Sequence, residues 1–242
     1  MVPPTSLRES AIATVAGWIV GGRFRPGDTL PIESDLETEL GVSRTVVREA
    51  LRSLVAKGLV LTGPRVGTRV RPYAEWNLFD ADVIAWRLDA GVDAAFVRDL
   101  LELRLAIEPT AARLAAGAAD PADVAAIEDA YRRMGDSVEG RGNYLSSDLA
   151  FHTAILKAAH NQFITGLVPV FTGYLRVSFR LSVKNRTRAR ASLPAHLRLL
   201  KAIAAHKPAV AERAAIALIE TARGDIEADI ASDEHFLVEG IA

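Results

Sequence analysis

The chain contains no cysteine. That excludes a disulfide framework and a thiolate-bound metal, and it suits a reducing compartment. No apolar run approaches the ~18 residues that a membrane-spanning helix requires. The opening Met1-Val2-Pro3-Pro4 has no basic segment leading into an apolar one, so no signal peptide is expected and the expected address is the cytoplasm. The HExxH, GxSxG and phosphate-loop signatures are missing as well, which removes the commonest routes to hydrolysis and to nucleotide chemistry. Acid is locally absent too: Leu149 to Ala211 holds ten Lys and Arg and no Asp or Glu.

What is present describes a globular protein with a buried core. The chain has 242 residues, half of them apolar and about a quarter charged, enough for one or two domains. A net charge of −1 conceals two unlike halves. Residues 1–72 carry ten basic and seven acidic side chains, a net of +3; residues 73–242 carry nineteen and twenty-three, a net of −4. The expected division is a first domain over 1–72, a linker over 73–79 and a second domain over 80–235.

In the first part, Ile12, Val15, Ala16 and Ile19 recur at helical spacing within residues 5–21, and Gly21-Gly22 ends the pattern. Arg25-Pro26-Gly27-Asp28 reads as a turn. A short helix is expected from Ile32 to Leu40, with Leu36 and Leu40 inward and Gly41 as its stop. Ser43 reads as the N-cap of a third helix over Arg44 to Lys57, with Val47, Leu51, Leu54 and Val55 as its apolar face. Leu59–Thr62 and Thr68–Val70 then read as strands joined by Gly63-Pro64-Arg65-Val66-Gly67, a hairpin link. Three helices followed by a two-stranded wing is the winged helix-turn-helix plan.

That plan suits duplex DNA, because a major groove admits one helix and meets its N-terminal residues. Here those residues are Ser43-Arg44-Thr45-Val46-Val47-Arg48. Arg44 and Arg48, four apart, share a face. Arginine can pair bidentately with guanine, and the hydroxyls of Ser43 and Thr45 suit phosphates. Arg65, at the wing tip, suits a minor groove or a phosphate. The alternative for the same residues is an ordinary solvated basic helix.

The second part reads as helix after helix, about seven in an antiparallel bundle: Asp80–Asp89, Asp93 to Ala118, a helix opened by Asp120-Pro121 and running to Val138, Tyr144–Ala159, Gln162–Leu181, Pro194–Ala205 and Pro208–Ser232. The expected fold class is therefore mainly α, a winged helix-turn-helix followed by an all-α bundle. Asp148 and His152 lie four apart and so on one helical face, and His196 opens a later helix. On spacing alone, Asp-x-x-x-His is more often a surface hydrogen bond. A carboxylate and two imidazoles can also hold a divalent transition metal such as Zn²⁺.

The run from Leu30-Pro31 through Val42-Ser43-Arg44-Thr45-Val46-Val47-Arg48-Glu49-Ala50-Leu51 to Gly58-Leu59-Val60 and Gly67-Thr68-Arg69-Val70 resembles the GntR family of bacterial transcription regulators. The resemblance implies that Arg44, Arg48 and the wing glycine Gly67 touch operator DNA. One departure stands out: where that family often has Arg in a Pro-Ser-Glu-Arg pattern, this chain has Ser34 within Pro31-Ile32-Glu33-Ser34.

The second part resembles the FadR-like C-terminal (FCD) domain. The residues that carry this are Asp99-Leu100-Leu101-Glu102-Leu103-Arg104 with Glu108, Asp148-Leu149-Ala150-Phe151-His152 with Asn161, and His196 with Ala202-Ile203. The resemblance implies a metal held by an Asp and three His beneath a small carboxylate effector. Asp148, His152 and His196 match the first three ligands. The fourth falls near Leu218-Ile219-Glu220, where there is no His, and His206 and His235 are off register. Arg104 matches an arginine that points into the pocket. Arg223 lies one turn past the missing His, and Arg180 belongs to the basic run from Arg176 to Arg190, which reads equally as pocket, solvated face or second DNA-side patch. Arg104, Arg180 and Arg223 are the candidate effector ligands. Asn161 reads as a helix cap rather than a ligand. The stretch from Trp76 to Trp86 is similar to that of FadR-like members associated with sugar-acid catabolism.

The function so implied is a homodimeric, operator-binding regulator, commonly a repressor, whose second domain senses a sugar acid or hydroxy acid over a divalent metal. The competing class is a hydrolase-like enzyme using Asp148, His152 and His196 on a metal.

Overall fold

A computed structural model describes residues 6–63, 66–182 and 186–231. The chain divides into two compact units, one through Val92 and one from Asp93 onward.

The first unit opens with α1 (Leu7–Val20), whose N-cap Ser6 accepts from the Glu9 N–H and whose Ala11, Ile12, Val15, Ala16 and Ile19 are buried. Next come α2 (Glu33–Leu40), closed by Gly41 in the left-handed region, and α3 (Arg44–Ala56). Two details of α3 differ from the sequence reading. Ser43 occupies the N-cap position but its side chain makes no capping bond. The buried face is Val47, Ala50, Leu51 and Leu54, while Val55 is 38% exposed. Ala50, one turn below Leu54, sits closer to the centre of the inward arc than Val55 does.

Gly58 is required where it stands. Its φ is +75°, and a Cβ there would come within 2.7 Å of the Glu75 carbonyl oxygen. The strand β1 (Val60–Gly63) then pairs antiparallel with β2 (Gly67–Val70), in register from Val60–Val70 to Gly63–Gly67. Thr29 bridges to Arg69, and the Leu30 N–H donates to the Thr68 carbonyl, so the residues just after the Arg25–Asp28 turn add a short edge to the wing.

Past β2 the chain stays on this core. Trp76 is buried and its indole N–H donates to the Arg71 carbonyl at 3.0 Å. The helix α4 (Ala81–Asp89), capped by Asp80, places Val83 in the same core. Lys57 Nζ lies 2.9 Å from Asp80 and 2.8 Å from Asp82, tying the end of α3 to the start of α4. Residues 73–89, divided in the sequence reading between linker and second domain, thus pack with the core of the first unit, because Trp76 and Val83 have apolar surface to bury.

The second unit is all helical among the described residues: α5 (Ala94–Ala118), α6 (Pro121–Val138), α7 (Tyr144–Ala158), α8 (Gln162–Ser182), α9 (Arg186–Ala204) and α10 (Pro208–Ala231). Its helix starts follow the capping rules. Asp93 accepts from the Phe96 N–H, and Asp120 with Asp123 forms a capping box ahead of Pro121. Asn161 accepts from the Phe163 and Ile164 N–H groups, which makes it a cap of α8. Ala111, Ala112, Ala115 and Ala116 of α5 are fully buried, so neighbouring backbones approach closely. Ile127, Met134, Phe151, Leu199 and Ile203 fill the space around them.

One boundary needs correction. The sequence reading opened the ninth helix at Pro194, the favoured N1 residue; it opens at Arg186, and Pro194 lies inside it. Pro109 and Pro169 are likewise interior to α5 and α8. An interior proline gives up one backbone hydrogen bond and bends the helix, which surrounding packing can offset. No helix among the described residues is long and apolar enough to cross a membrane.

Candidate metal centre and DNA-reading surface

The candidate reading surface is the first turn of α3. Ser43, Arg44, Thr45 and Arg48 are exposed there, while Val46 is half-buried and packs against the first core. Arg44 and Arg48 do not stand alone: Glu33, at the start of α2, accepts from Arg44 Nε at 3.1 Å and from Arg48 Nε at 2.9 Å. The two arginines hold the Glu33 carboxyl below the ordinary range, Arg48 contributing most. Gly67, with φ +72°, sits opposite Gly63 at the loop end of the hairpin. Arg65 lies outside the described residues. Ser34 is exposed and carries no charge to substitute for an arginine.

The second site lies inside the helical unit. Asp148 and His152 project from one face of α7, as their spacing predicts, and His196 reaches them from α9. All three are buried, and one ligand atom of each lies within 4.8 Å of the others. Asp148 Oδ1 is 3.1 Å from His196 Nε2 and 3.5 Å from His152 Nε2. The opposite ring nitrogens are anchored elsewhere. His196 Nδ1 donates to the Ser192 carbonyl at 2.9 Å, and His152 Nδ1 contacts Glu108 Oε2 at 2.5 Å. Both imidazoles therefore present Nε2 to one carboxylate oxygen, as second-sphere acceptors orient metal-binding histidines.

Glu108 belongs to a longer buried chain. Arg104 Nε donates to Glu108 Oε1 at 2.6 Å, Arg104 Nη1 donates to Ser178 Oγ at 2.6 Å, and the guanidinium lies 4.8 Å from the Phe179 ring. Burial pushes the Glu108 carboxyl up, but Arg104 and His152 outweigh it and hold it at about 2. Burial pulls His152 down, but Glu108 and Asp148 hold it up at about 9. Asp148 is held far below the usual carboxylate range against its burial, chiefly by His196 and His152. Two buried carboxylates thus face Arg104 and two imidazoles, and acceptor lone pairs converge on one point unless a proton or a cation lies between them. A cation is what such a cluster accepts.

One carboxylate oxygen and two imidazole nitrogens suit Zn²⁺ or a similar divalent ion. No fourth side-chain ligand lies at the position the resemblance implies: Leu218 and Ile219 are buried there, and Leu218 lines a small cavity with Glu108, His152 and Leu199. Further coordination would fall to water or to a bound acid. A second group, Asp120, Asp123 and His160, is solvent-facing and already serves the capping box of α6.

The candidate effector arginines separate. Arg104 joins the buried cluster. Arg223 lies on α10, 3.7 Å from Glu220 of its own helix, and its Nε is buried without a hydrogen-bond partner. The side chain of Arg180 lies outside the described residues. Of the rest of the basic run, Arg188 pairs with Asp229 and Arg190 with Glu139, so acids from α10 and the end of α6 neutralise these two. Ser178, Ser192 and Tyr144, whose hydroxyl lies 2.6 Å from Ser192 Oγ, escaped the sequence reading. The only local signal for the network was the four-residue spacing of Arg104 and Glu108.

Comparison with known proteins agrees with both halves. Residues 7–70 match the family described as bacterial regulatory proteins, gntR family, and residues 99–221 match the FCD domain. The chain is 32% identical over 212 residues to the galactonate operon transcriptional repressor of Escherichia coli strain K12, covering 87% of this chain and 93% of the relative. It is 30% identical over 240 residues to the Glc operon transcriptional activator of the same strain, covering 95% and 92%. Among solved structures, Lar, which controls expression of the Listeria monocytogenes agr system, superposes with a TM-score of 0.64 at 18% identity, over 93% of this chain and 98% of that one, and so shares the fold. The matched family is one of transcriptional regulators and not of enzymes, which sets aside the hydrolase alternative. The chain belongs to the GntR family of bacterial transcriptional regulators, in the branch whose second domain is an FCD domain.

Proposed function

We propose that this regulator binds a small carboxylic acid in its helical domain, over a divalent cation held by Asp148, His152 and His196, and that binding alters its affinity for operator DNA. The observation that carries this reading is the buried cluster itself: three convergent ligand atoms, both histidines fixed by their Nδ1 atoms, and Arg104 one contact away through Glu108. A bound cation supplies a Lewis-acid anchor for carboxylate and hydroxyl oxygens. Asp148 and the two Nε2 atoms hold it, Glu108 and Ser192 orient the rings, and Phe151 and Phe179 keep water away. Arg104 and Arg223 supply guanidinium donors for an anion. The relatives named for a galactonate operon and a Glc operon favour a sugar acid or a hydroxy acid.

On the DNA side, Ser43, Arg44, Thr45, Val46, Arg48, Arg65 and Gly67 form the operator surface, within a reader spanning residues 1–72. Residues 73–89 pack with that reader, and the sensing domain is the helical unit from Asp93 onward. The protein acts as a homodimer on a two-fold operator, in the cytoplasm where the DNA is, and as a repressor released by its acid. A tenfold change in operator affinity requires about 1.4 kcal/mol of coupling between acid and DNA.

The test begins with selection of genomic fragments by the purified full-length protein, followed by titration of galactonate, glycolate and lactate with and without Zn²⁺. A short palindrome whose retention falls as one acid saturates supports the reading. A protein that selects an operator yet gives no heat with a broad panel of acids, metal present or absent, removes the sensing half.

A further inference from the structure

We propose that Glu33 is a specificity-determining positioning residue of the DNA reader: its single carboxylate grips Arg44 and Arg48 by their Nε atoms and aims both guanidinium forks at G·C base pairs. The inference rests on the DNA-reading role proposed above for the two arginines, and it adds a residue with no base contact of its own.

The geometry is a shared clamp. Glu33 stands at the first position of α2, eleven residues before Arg44 and fifteen before Arg48, and α2 packs against α3. Arg48 Nε lies 3.1 Å from Oε1 and 2.9 Å from Oε2, and Arg44 Nε lies 3.1 Å from Oε2. Glu37, one turn further along α2, stands 3.9 Å from Arg44 Nε as a weaker second acceptor. Glu33 is the more enclosed member of the set, at 33% side-chain exposure against 64% for Arg44 and 52% for Arg48. The carboxylate is thus the fixed point and the arginines are the arms.

The choice of atom matters. A guanidinium offers two bidentate edges, one made by Nε with an Nη and one made by the two Nη groups. In both arginines Glu33 takes Nε, and among the described residues the Nη groups of both make no hydrogen bond. What remains is the end-on Nη edge, which matches the O6 and N7 acceptors of guanine in the major groove. Fixing two long side chains in advance also reduces the rotamer freedom lost on binding. A carboxylate on the reading face repels phosphates, so it weakens binding to every sequence alike. Placing one there makes physical sense if it returns discrimination between sequences.

The two effects move in opposite directions, which gives the experiment its sign. Full-length wild type, Glu33→Gln and Glu33→Ala are compared on the selected operator, on a scrambled duplex of equal length, and on operators in which each G·C pair is changed singly to A·T, with thermal midpoints as the check on folding. The expected result for Glu33→Gln is tighter binding to the scrambled duplex, a fall of about tenfold in the operator-to-scrambled ratio, and a flattened penalty for the G·C changes. An unchanged ratio with unchanged base preference overturns the proposal. A parallel loss on both duplexes with a lowered midpoint also overturns it, since that is a folding defect of α2. A wild type without selectivity on any duplex overturns the DNA-reading assignment of Arg44 and Arg48 itself, a failure distinguishable from the other two.

Discussion

Asp148 Oδ1 and His196 Nε2 lie 3.1 Å apart, although 48 residues separate them in sequence and they stand on different helices. The contact is fully buried, and His152 approaches the same oxygen from one turn along α7. With Glu108, Arg104 and Ser178 joined to this group, four helices of the second unit, α5, α7, α8 and α9, meet through polar atoms in an otherwise apolar interior.

Divalent cation is expected to stabilise this interior. At a free concentration one hundred times its dissociation constant, Zn²⁺ adds about 2.7 kcal/mol to unfolding. A rise in thermal midpoint on addition, reversed by chelator and absent in His152→Ala and His196→Ala, is the expected pattern. Equal metal content in wild type and His152→Ala would remove that residue from the ligand set.

Leu218→His is expected to tighten metal binding, because Leu218 lines the cavity against His152 and Glu108 where a fourth nitrogen is missing. Competition with a chromogenic chelator measures the change. Weaker or unchanged binding would place the open coordination position elsewhere.

Arg104→Ala leaves Glu108 buried without its guanidinium partner, and its expected cost is about 3–5 kcal/mol in denaturant unfolding. Arg104→Met with Glu108→Gln removes both charges and is expected to recover much of that loss while the response to acid stays absent. Retained response in the double variant would place acid recognition away from Arg104.

Arg44→Ala is expected to weaken operator binding by about 1–3 kcal/mol and to relax the preference at one base pair. Electrophoretic titration across several salt concentrations separates a lost base contact from a lost phosphate contact, which lowers the salt slope by about one. Binding equal to wild type would exclude Arg44 from the interface.

The Lys57–Asp80 pair carries a pH signature. Burial pushes the Asp80 carboxyl up, but Lys57 and two backbone N–H groups hold it below its ordinary 3.8. Its folded value is depressed, so its stabilisation is present above the unfolded value and is lost as pH falls through the folded one. The stability difference between wild type and Asp80→Asn is therefore expected at neutral pH, and should shrink as pH falls below about 4 in urea titrations. A difference that persists at low pH would assign Asp80 to helix capping alone.

Much of this architecture was legible from local signals. Asp120-Pro121 announced α6 because an N-cap and an N1 proline act within one turn, and Gly41 and Gly58 marked helix ends that need positive φ. Asp148 and His152 were legible as a pair because helical spacing fixes a shared face. The start of α9 was not. Pro194 carries the strongest start signal in that stretch, whereas Arg188 is held by Asp229, 41 residues away, and Arg190 by Glu139, 51 residues away. Ser178 and Ser192 were hidden for the same reason: their partners come from other helices, and no local pattern encodes which helix lies opposite. The clamp of Glu33 on Arg44 and Arg48 escaped because a glutamate in a first helical turn already has a reason to be there, as complement to the helix dipole.

The four buried alanines of α5 have a mechanical consequence. A helix surface of methyl groups has no alternative rotamers to adopt, so the spacing to its neighbours is set by backbone against backbone. Such a seam can slide but cannot repack. A change of state in this domain would therefore travel along α5 as a small translation of whole helices, the shear mode of motion, and the residues that set its amplitude would be the smallest ones in the protein.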